Sequence, residues 1–327
     1  MNTVTGTSHI LDEISDYLKP ELAAVEARIS AIVESDTRLV QEVGTYVLSG
    51  RGKRIRPMML LLVARAAGYT GDSSVNVAAA LEIIHTATLL HDDVIDKAAM
   101  RRGKASVNAR WGDDVAILIA DYLYANAFRL AMESLSPKVI STICQVTAQM
   151  CEGEMYQIEK RQQFLTTEDY LRIVRHKTAF LFSACTGLGA VIAGLDEARI
   201  LRMTQFGLDF GIAFQVTDDT LDLVGQDDVL GKDSGTDIKN GKQTLPLIYA
   251  YQQSTPAERH QIEQCWQNGK DPAVMLAIIE NHAGVDYSMN VAREYIASSK
   301  EHLGALPASK AAELCGRLAD YLAERTN

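Results

Sequence analysis

Apolar positions recur at helical spacing along almost the whole chain, and the alternation expected of half-buried strands is missing. Gly71-Asp72-Ser73 opens a long helix that the pattern carries to about Asp96. Further helices are expected from Asp113 to about Glu133, from Pro137 to about Lys160, from Thr167 to about Ala193 and from Asp196 to about Val224. Thr255-Pro256-Ala257-Glu258 carries a start signal, with Thr255 as N-cap, Pro256 in the first turn and Glu258 closing a capping box. Asp271-Pro272 and Leu306-Pro307 mark two more starts. Several central helices are apolar around most of their circumference, which implies burial in a bundle of more than four helices. The expected fold is all-α, a single large helical bundle spanning 1–327 with a loose N-terminus over 1–8. The glycine-rich stretch Gly225–Gly241 after the last long helix is a candidate lid.

Composition narrows the function more than the fold. With 327 residues, 47% hydrophobic and 23% charged, the chain has the make-up of a soluble globular protein. A net charge of −10, aromatics at 6% and no long basic run argue against nucleic-acid binding. Cys144, Cys151, Cys185, Cys265 and Cys315 are scattered without CxxC spacing and read as thiols of a reducing compartment. The polar N-terminus has no signal-peptide core, and no stretch reaches the roughly 18 apolar residues of a membrane span. A cytoplasmic location is expected.

Two aspartate clusters of identical spacing carry the chemistry: Asp92, Asp93 and Asp96 in DDVID, and Asp218, Asp219 and Asp222 in DDTLD. The first and last carboxylates of each lie one helical turn apart on one side. Like charges there repel and call for a cation; Mg²⁺, with oxygen ligands and a substrate phosphate completing its shell, suits them. The bland alternative is a solvated acidic surface. The runs before both motifs, Ala78–Leu90 and Phe206–Phe214, are almost wholly apolar, which favours metal ligation. Asp113-Asp114 and Asp227-Asp228 are pairs without the spacing, and helix capping explains the first. Two acidic faces looking at each other would hold a metal-bridged diphosphate.

Basic residues flank both motifs. Gly50–Pro57 is a loop with Lys53, Arg54 and Arg56 directly before a helix, where anions are favoured. Arg101-Arg102 lies just past the first motif, Lys177-Thr178 interrupts an apolar helix, and Lys232 and Lys242 follow the second motif. The loop alone reads as ordinary surface charge, an unpaired Lys177 in an apolar helix would be costly, and each basic site by itself is ambiguous, but together they flank both acid clusters. His85 lies seven residues before Asp92 on the same helical face; a lone histidine there is more often a core residue, as His91 and His176 are taken to be.

These stretches resemble the trans-(E)-polyprenyl diphosphate synthases, the all-α head-to-tail prenyltransferases of the isoprenoid synthase type. The match runs through GKRIRP (52–57), IIHTATLLHDDVID (83–96), MRRGK (100–104), GEM (153–155), HKTA (176–179), FQVTDDTLD (214–222) and GKDSGTDIKNGKQTLPL (231–247). The wording around His85 and Asp92 looks like the octaprenyl-forming bacterial members, which serve ubiquinone side-chain synthesis. The resemblance implies that Lys53, Arg56, His85 and Arg102 bind isopentenyl diphosphate. Arg101, Lys177, Thr178, Gln215, Lys232 and Lys242 would hold an allylic diphosphate such as farnesyl diphosphate. Asp92, Asp96 and Asp218 would be the main ligands of a cluster of about three Mg²⁺ ions, with Asp93, Asp219 and Asp222 completing or supporting it. A central cavity and a homodimer are expected on the same grounds.

The resemblance also implies that bulk just before the first motif sets product length. Ala87 and Thr88 stand there and are small, so a product well beyond farnesyl, octaprenyl by resemblance, is expected; Met155 and Tyr156 are candidates for a deeper floor. Two alternatives share the bundle. A class I terpene cyclase would replace the second DDxxD by a mixed Asn/Ser/Thr–Glu motif and needs no GKRIRP loop. A non-catalytic subunit of a heteromeric synthase would have lost the aspartates, although a catalytic chain can still require a partner.

Overall fold

The structure is a computed structural model, and it describes residues 9–50, 52–224, 236–239, 241–268 and 272–324. Helices make up nearly all of it. By internal packing the chain divides into two compact units: Met1–Thr147 with Leu181–Thr204 and Leu303–Gly316, and Ala148–Phe180 with Gln205–His302 and Arg317–Asn327.

The first unit holds α1 (His9–Tyr17), α2 (Lys19–Ile32), α3 (Arg38–Leu48), α4 (Ile55–Ala66) and α5 (Ser73–Ile95). The chain then makes a short hairpin, β1 (Met100–Arg101) with β2 (Lys104–Ala105), followed by α6 (Val107–Trp111) and α7 (Asp113–Met132). α5 packs against α7, α4 and α2. Every residue of α5 from Ser74 to Ile84 is buried, as its all-round apolar sequence requires. The hairpin corrects the expectation of no strands. Two-residue strands are too short for alternation to show, and the signal is instead the turn Arg102-Gly103, both at positive φ (51° and 75°).

α8 (Pro137–Lys160) begins in the first unit and ends in the second, and α11 (Glu197–Val224) likewise. The second unit also contains α9 (Thr167–Val174), and α10 (Phe180–Ile192) follows it after a π turn, Arg175–Ala179. Beyond α11 come α12 (Thr236–Lys239), α13 (Leu245–Gln253), α14 (Pro256–Asn268), α15 (Pro272–Asn281), α16 (Gly284–His302) and α17 (Lys310–Glu324). Residues of α9, α11, α13 and α16 close one core around Tyr170, Ile212, Val216, Leu245, Ile248 and Ala292.

The long helices start and stop within a residue or two of the expected positions, except one. The helix expected from Thr167 to Ala193 is broken by the π turn, a feature that periodicity does not reveal. The capping box at Thr255 forms: Glu258 N–H donates to Thr255 Oγ1 (3.3 Å), and Thr255 N–H donates to Glu258 Oε2 (2.8 Å). The last helix starts three residues later than Leu306-Pro307 suggested, because Ser309 caps it by accepting from Ala312 N–H (3.2 Å). The N-terminal residues 1–8 and most of the candidate lid (225–235 and 240) lie outside the described residues, and 236–239 within that stretch are helical.

α5 and α7 are each long and apolar enough in composition to cross a bilayer. In α5 the apolar stretch is mostly buried inside the chain, 72% of it, against 39% in α7.

Candidate active site

The first unit gathers cations around His85. Arg54, Arg56, Arg101 and Arg102 all act on its imidazole; burial first, then these four charges, hold its pKa well below the ordinary value. His85 is therefore held neutral and can accept a hydrogen bond amid positive charge. A pocket of about 130 Å³ opens here, lined by Gly50, Arg54, Glu82, His85, Arg101 and Arg102 among others. The Arg102 guanidinium lies beside the Gly52 backbone, with Nη1 3.5 Å from where a Cβ would stand, so the GKRIRP loop and the hairpin meet there.

Each arginine is held differently. Arg54, in a left-handed conformation (φ 53°) just before α4, donates to Glu82 (2.8 Å) and Glu26 (2.5 Å). Arg56 lies over the Phe182 ring at 4.5 Å with its Nε buried and unbonded. Burial pulls the Arg56 pKa down, and the nearby Glu82 carboxylate opposes this. Arg101 donates through Nε to both oxygens of Asp93 (2.7 and 2.8 Å). Lys53 is exposed. Arg54 and Glu82 were not singled out as a pair in the sequence; Glu82 stands three residues before His85, on the same side of α5.

The first acidic motif closes α5. Asp93 is buried at 2% exposure, Asp92 is half-buried and Asp96 is exposed at the helix end. Ser106 Oγ (2.5 Å) and Asn108 Nδ2 (3.2 Å) donate to the Ala98 carbonyl, tying the following segment to the motif. With both oxygens engaged by Arg101, Asp93 is placed to support its neighbours. Asp92 and Asp96 are the outward pair.

The second unit repeats this logic. Asp219 is buried at 3%, Asp218 is exposed, and Asp222 accepts from Asp237 N–H (2.9 Å). Asp219 Oδ1 accepts from Lys242 Nζ and Gln215 Nε2, and Oδ2 from the Tyr170 hydroxyl, all at 2.8 Å. Lys242 also donates to Asp237 (2.9 Å). Burial acts to lower its pKa, yet Asp219 and Asp237 raise it overall, so the ammonium persists. Thr178 Oγ1 donates to Gln215 Oε1 (2.8 Å). Burial and the Asp219 carboxylate hold the Tyr170 phenol protonated.

Lys177 and Thr178 sit on the π turn, a device common at functional sites. Lys177 is paired with Glu154 and donates to Gln157 (3.2 Å). This explains GEM (153–155): Glu154 balances the lysine, and Gly153 lets the π turn approach α8, since a Cβ there would collide with His176 Cβ. His176 Nδ1 donates to the Arg172 carbonyl (2.8 Å) and the ring stacks edge-on with Phe180, and His91 packs against Tyr124. Lys232 lies outside the described residues. Tyr170 had no place in the sequence reading, although it stands seven residues before Lys177, two helical turns upstream.

The structure also describes the positions expected to set product length. Ala87 is wholly buried, and Thr88 donates to the His85 carbonyl (2.7 Å). Met155 and Tyr156 form no floor in the second unit. Met155 is 70% exposed, and Tyr156 donates to Asp169 with Arg172 over its ring at 4.0 Å.

An all-α fold with this composition of acidic and basic motifs defines an isoprenoid synthase. The family model of the polyprenyl synthetases matches residues 37–281, and the chain belongs to that family, the trans-polyprenyl diphosphate synthases, which are prenyltransferases. It is 38% identical over 304 residues to an octaprenyl diphosphate synthase of Haemophilus influenzae, covering 92% of each chain. A decaprenyl diphosphate synthase from Rhodobacter capsulatus superposes with a TM-score of 0.91 at 34% identity, over 97% of this chain and 99% of that one. A polyprenyl synthase from Caulobacter crescentus, complexed with calcium and isoprenyl diphosphate, superposes at 0.89 and 34% identity, over 97% and 98%.

Proposed function

We propose that this chain condenses isopentenyl diphosphate head-to-tail onto an allylic primer, farnesyl diphosphate, to give a long all-trans polyprenyl diphosphate of octaprenyl length for a quinone side chain. The observation that carries the substrate class is the arginine-ringed pocket around a neutral His85, a basin for a multiply charged anion in a chain of net charge −10. In this reading Lys53, Arg56, His85 and Arg102 hold the isopentenyl diphosphate, and Arg101, Lys177, Thr178, Gln215, Lys232 and Lys242 hold the allylic one.

The donor set fits Mg²⁺. Asp92, Asp96 and Asp218 are carboxylates at least partly open to solvent, and Asp93 and Asp219 are buried against Arg101 and Lys242. Among the described residues no three acidic, histidine or cysteine groups form a ready-made cage, as expected of an ion that keeps waters and shares substrate phosphates. When bound, Mg²⁺ neutralises charge on the departing diphosphate. The chain's own cations do the same from fixed positions. The allylic C1–O bond breaks, the double bond of isopentenyl diphosphate attacks the resulting cation, and a proton leaves to the released diphosphate. Exclusion of water protects the cation until then.

Small residues at Ala87 and Thr88 support the long product, and Ala87→Phe should shorten it. The name of the Haemophilus relative supports octaprenyl, and that of the Rhodobacter neighbour a longer chain. Large exposed apolar side chains such as Leu118 (67%) and Met155 (70%) support a homodimer.

The test is a product assay with purified protein, Mg²⁺, farnesyl diphosphate and labelled isopentenyl diphosphate, the dephosphorylated products being sized by chromatography. A single long end product is expected. No incorporation by folded protein overturns the proposal and points to a cyclase or a missing partner subunit. Asp92→Ala or Asp218→Ala should abolish Mg²⁺-dependent turnover with the helical fold intact, and retained activity would remove those residues from the metal site.

A further inference from the structure

Tyr170 lies outside the motifs that identify the family, yet it sits at the centre of the second unit's polar network. It is 3% exposed and shares one buried core with Val174, Ala179, Ile212, Val216, Leu245 and Ile248. Its hydroxyl donates to Asp219 Oδ2, leaving Oδ1 to accept from Gln215 and Lys242. A carboxylate held at one oxygen by a ring locked in the core has one orientation. That orientation sets where Gln215 and Lys242 point, and Gln215 passes it on to Thr178 at 2.8 Å.

The Lys242 backbone is fixed by separate means. Trp266 Nε1 donates to the Gly241 carbonyl (3.0 Å), and the Gln243 amide bridges Leu165 N–H (2.7 Å) and the Gln163 carbonyl (2.9 Å). Losing the Tyr170 hydroxyl would thus release Asp219 Oδ2 and loosen the aim of Gln215 and Lys242, which keep their bonds to Thr178 and Asp237, without releasing the segment that carries Lys242.

We propose that Tyr170 is a positioning residue for the allylic diphosphate: it orients Asp219, which aims Gln215 and Lys242 at the ligand. This rests on the prenyltransferase reading above, in which those two residues hold that diphosphate. Buried groups that orient liganding side chains typically change affinity or activity by roughly 10–100-fold when removed.

The variant is Tyr170→Phe, which keeps the ring in the core. Mg²⁺-dependent binding of inorganic diphosphate is measured by calorimetry, and steady-state constants are measured for both substrates. All are taken at a temperature where the melting curve shows the variant folded. Expected are weaker diphosphate binding by roughly 10–100-fold and a raised KM for the allylic substrate, with KM for isopentenyl diphosphate unchanged. Wild-type diphosphate affinity in the variant, or equal change in both KM values, would overturn the positioning role and leave Tyr170 a packing residue. A wild-type chain that neither binds Mg²⁺-diphosphate nor incorporates isopentenyl units would overturn the underlying reading instead, which separates the two failures.

Discussion

Replacing Gly153 by alanine should damage catalysis far more than stability. Gly153 lies inside α8, where a new methyl would collide with His176 Cβ and come within 3.4 Å of His176 Cγ and 3.5 Å of its carbonyl carbon. Carbon atoms pack at about 3.5–4.0 Å, so the two elements must separate by about 1 Å. The obstacle is the root of a side chain on the π turn, which cannot swing aside as a flexible tip would. Overpacking of this kind costs about 1–3 kcal/mol, while alanine in place of glycine returns about 1 kcal/mol of helix propensity. The net loss is about 0–2 kcal/mol. Lys177 and Thr178 ride on the displaced turn, however, and misplacing a positioning group by about 1 Å can cost roughly 100-fold in rate. Thermal melts and kcat/KM for the allylic substrate separate the two effects. Gly316→Ala is the control: its new methyl would meet only Leu303 Cδ1, at 3.6 Å, and should leave stability unchanged or raised by up to about 1 kcal/mol. Wild-type kcat/KM in Gly153→Ala, or equal damage from Gly316→Ala, would refute the packing argument.

Three further outcomes are expected. In a double-mutant cycle of Asp93→Asn with Arg101→Met, chemical denaturation should give a coupling of about 1–3 kcal/mol, towards the lower end because Arg101 is 38% exposed; additive effects would contradict the bidentate contact. Cys185 and Cys315, whose thiol pKa values burial pushes up to about 12, should escape alkylation in the native protein and react after unfolding; native-state labelling at either, seen by peptide mass spectrometry, would contradict their burial. For His85 the folded pKa lies below the unfolded value of about 6.5, so the unfolded chain takes up the proton first and stability falls as pH drops below that value. His85→Asn should flatten the decline of the denaturation midpoint on acidification; an unaltered slope would assign the acid sensitivity elsewhere.

Helix ends were legible where a single local interaction sets them. Pro137 and Lys160 bound α8 as the pattern indicated, and the Thr255–Glu258 capping box forms as written. Features that depend on distant contacts were not legible. The π turn exists where Gly153 and Glu154, on another helix, meet His176 and Lys177, and nothing within 167–193 announces it. The Met100–Ala105 hairpin is too short for alternation, and only its Arg-Gly turn betrays it. The candidate cations and aspartates could be listed from the sequence, but the side chains that anchor them, Glu82 for Arg54 and Tyr170 for Asp219, come from helix positions that carry no motif.

The acidic motifs show this limit most clearly. In a DDxxD the first and fourth-following aspartates share one side of the helix, while the second points about 100° away. In both helices that direction is inward, where Asp93 is 2% and Asp219 3% exposed. A buried carboxylate without a partner is costly, and each is met by a cation from the segment that follows: Arg101, eight residues on, and Lys242, twenty-three residues on. The second aspartate therefore ties a basic segment to its helix, and in the proposed function the metal falls to Asp92, Asp96 and Asp218, which are more open to solvent. Spacing alone cannot separate a ligand from a tie, because the residues are chemically identical and adjacent. Loss of activity on substitution does not separate them either: in the proposed function, freeing Arg101 or Lys242 disables diphosphate binding as surely as losing a ligand. Stability does: removing the inward carboxylate breaks the tie to Arg101 or Lys242 and weakens the fold, whereas Asp92, Asp96 and Asp218, more open to solvent, should cost less to remove.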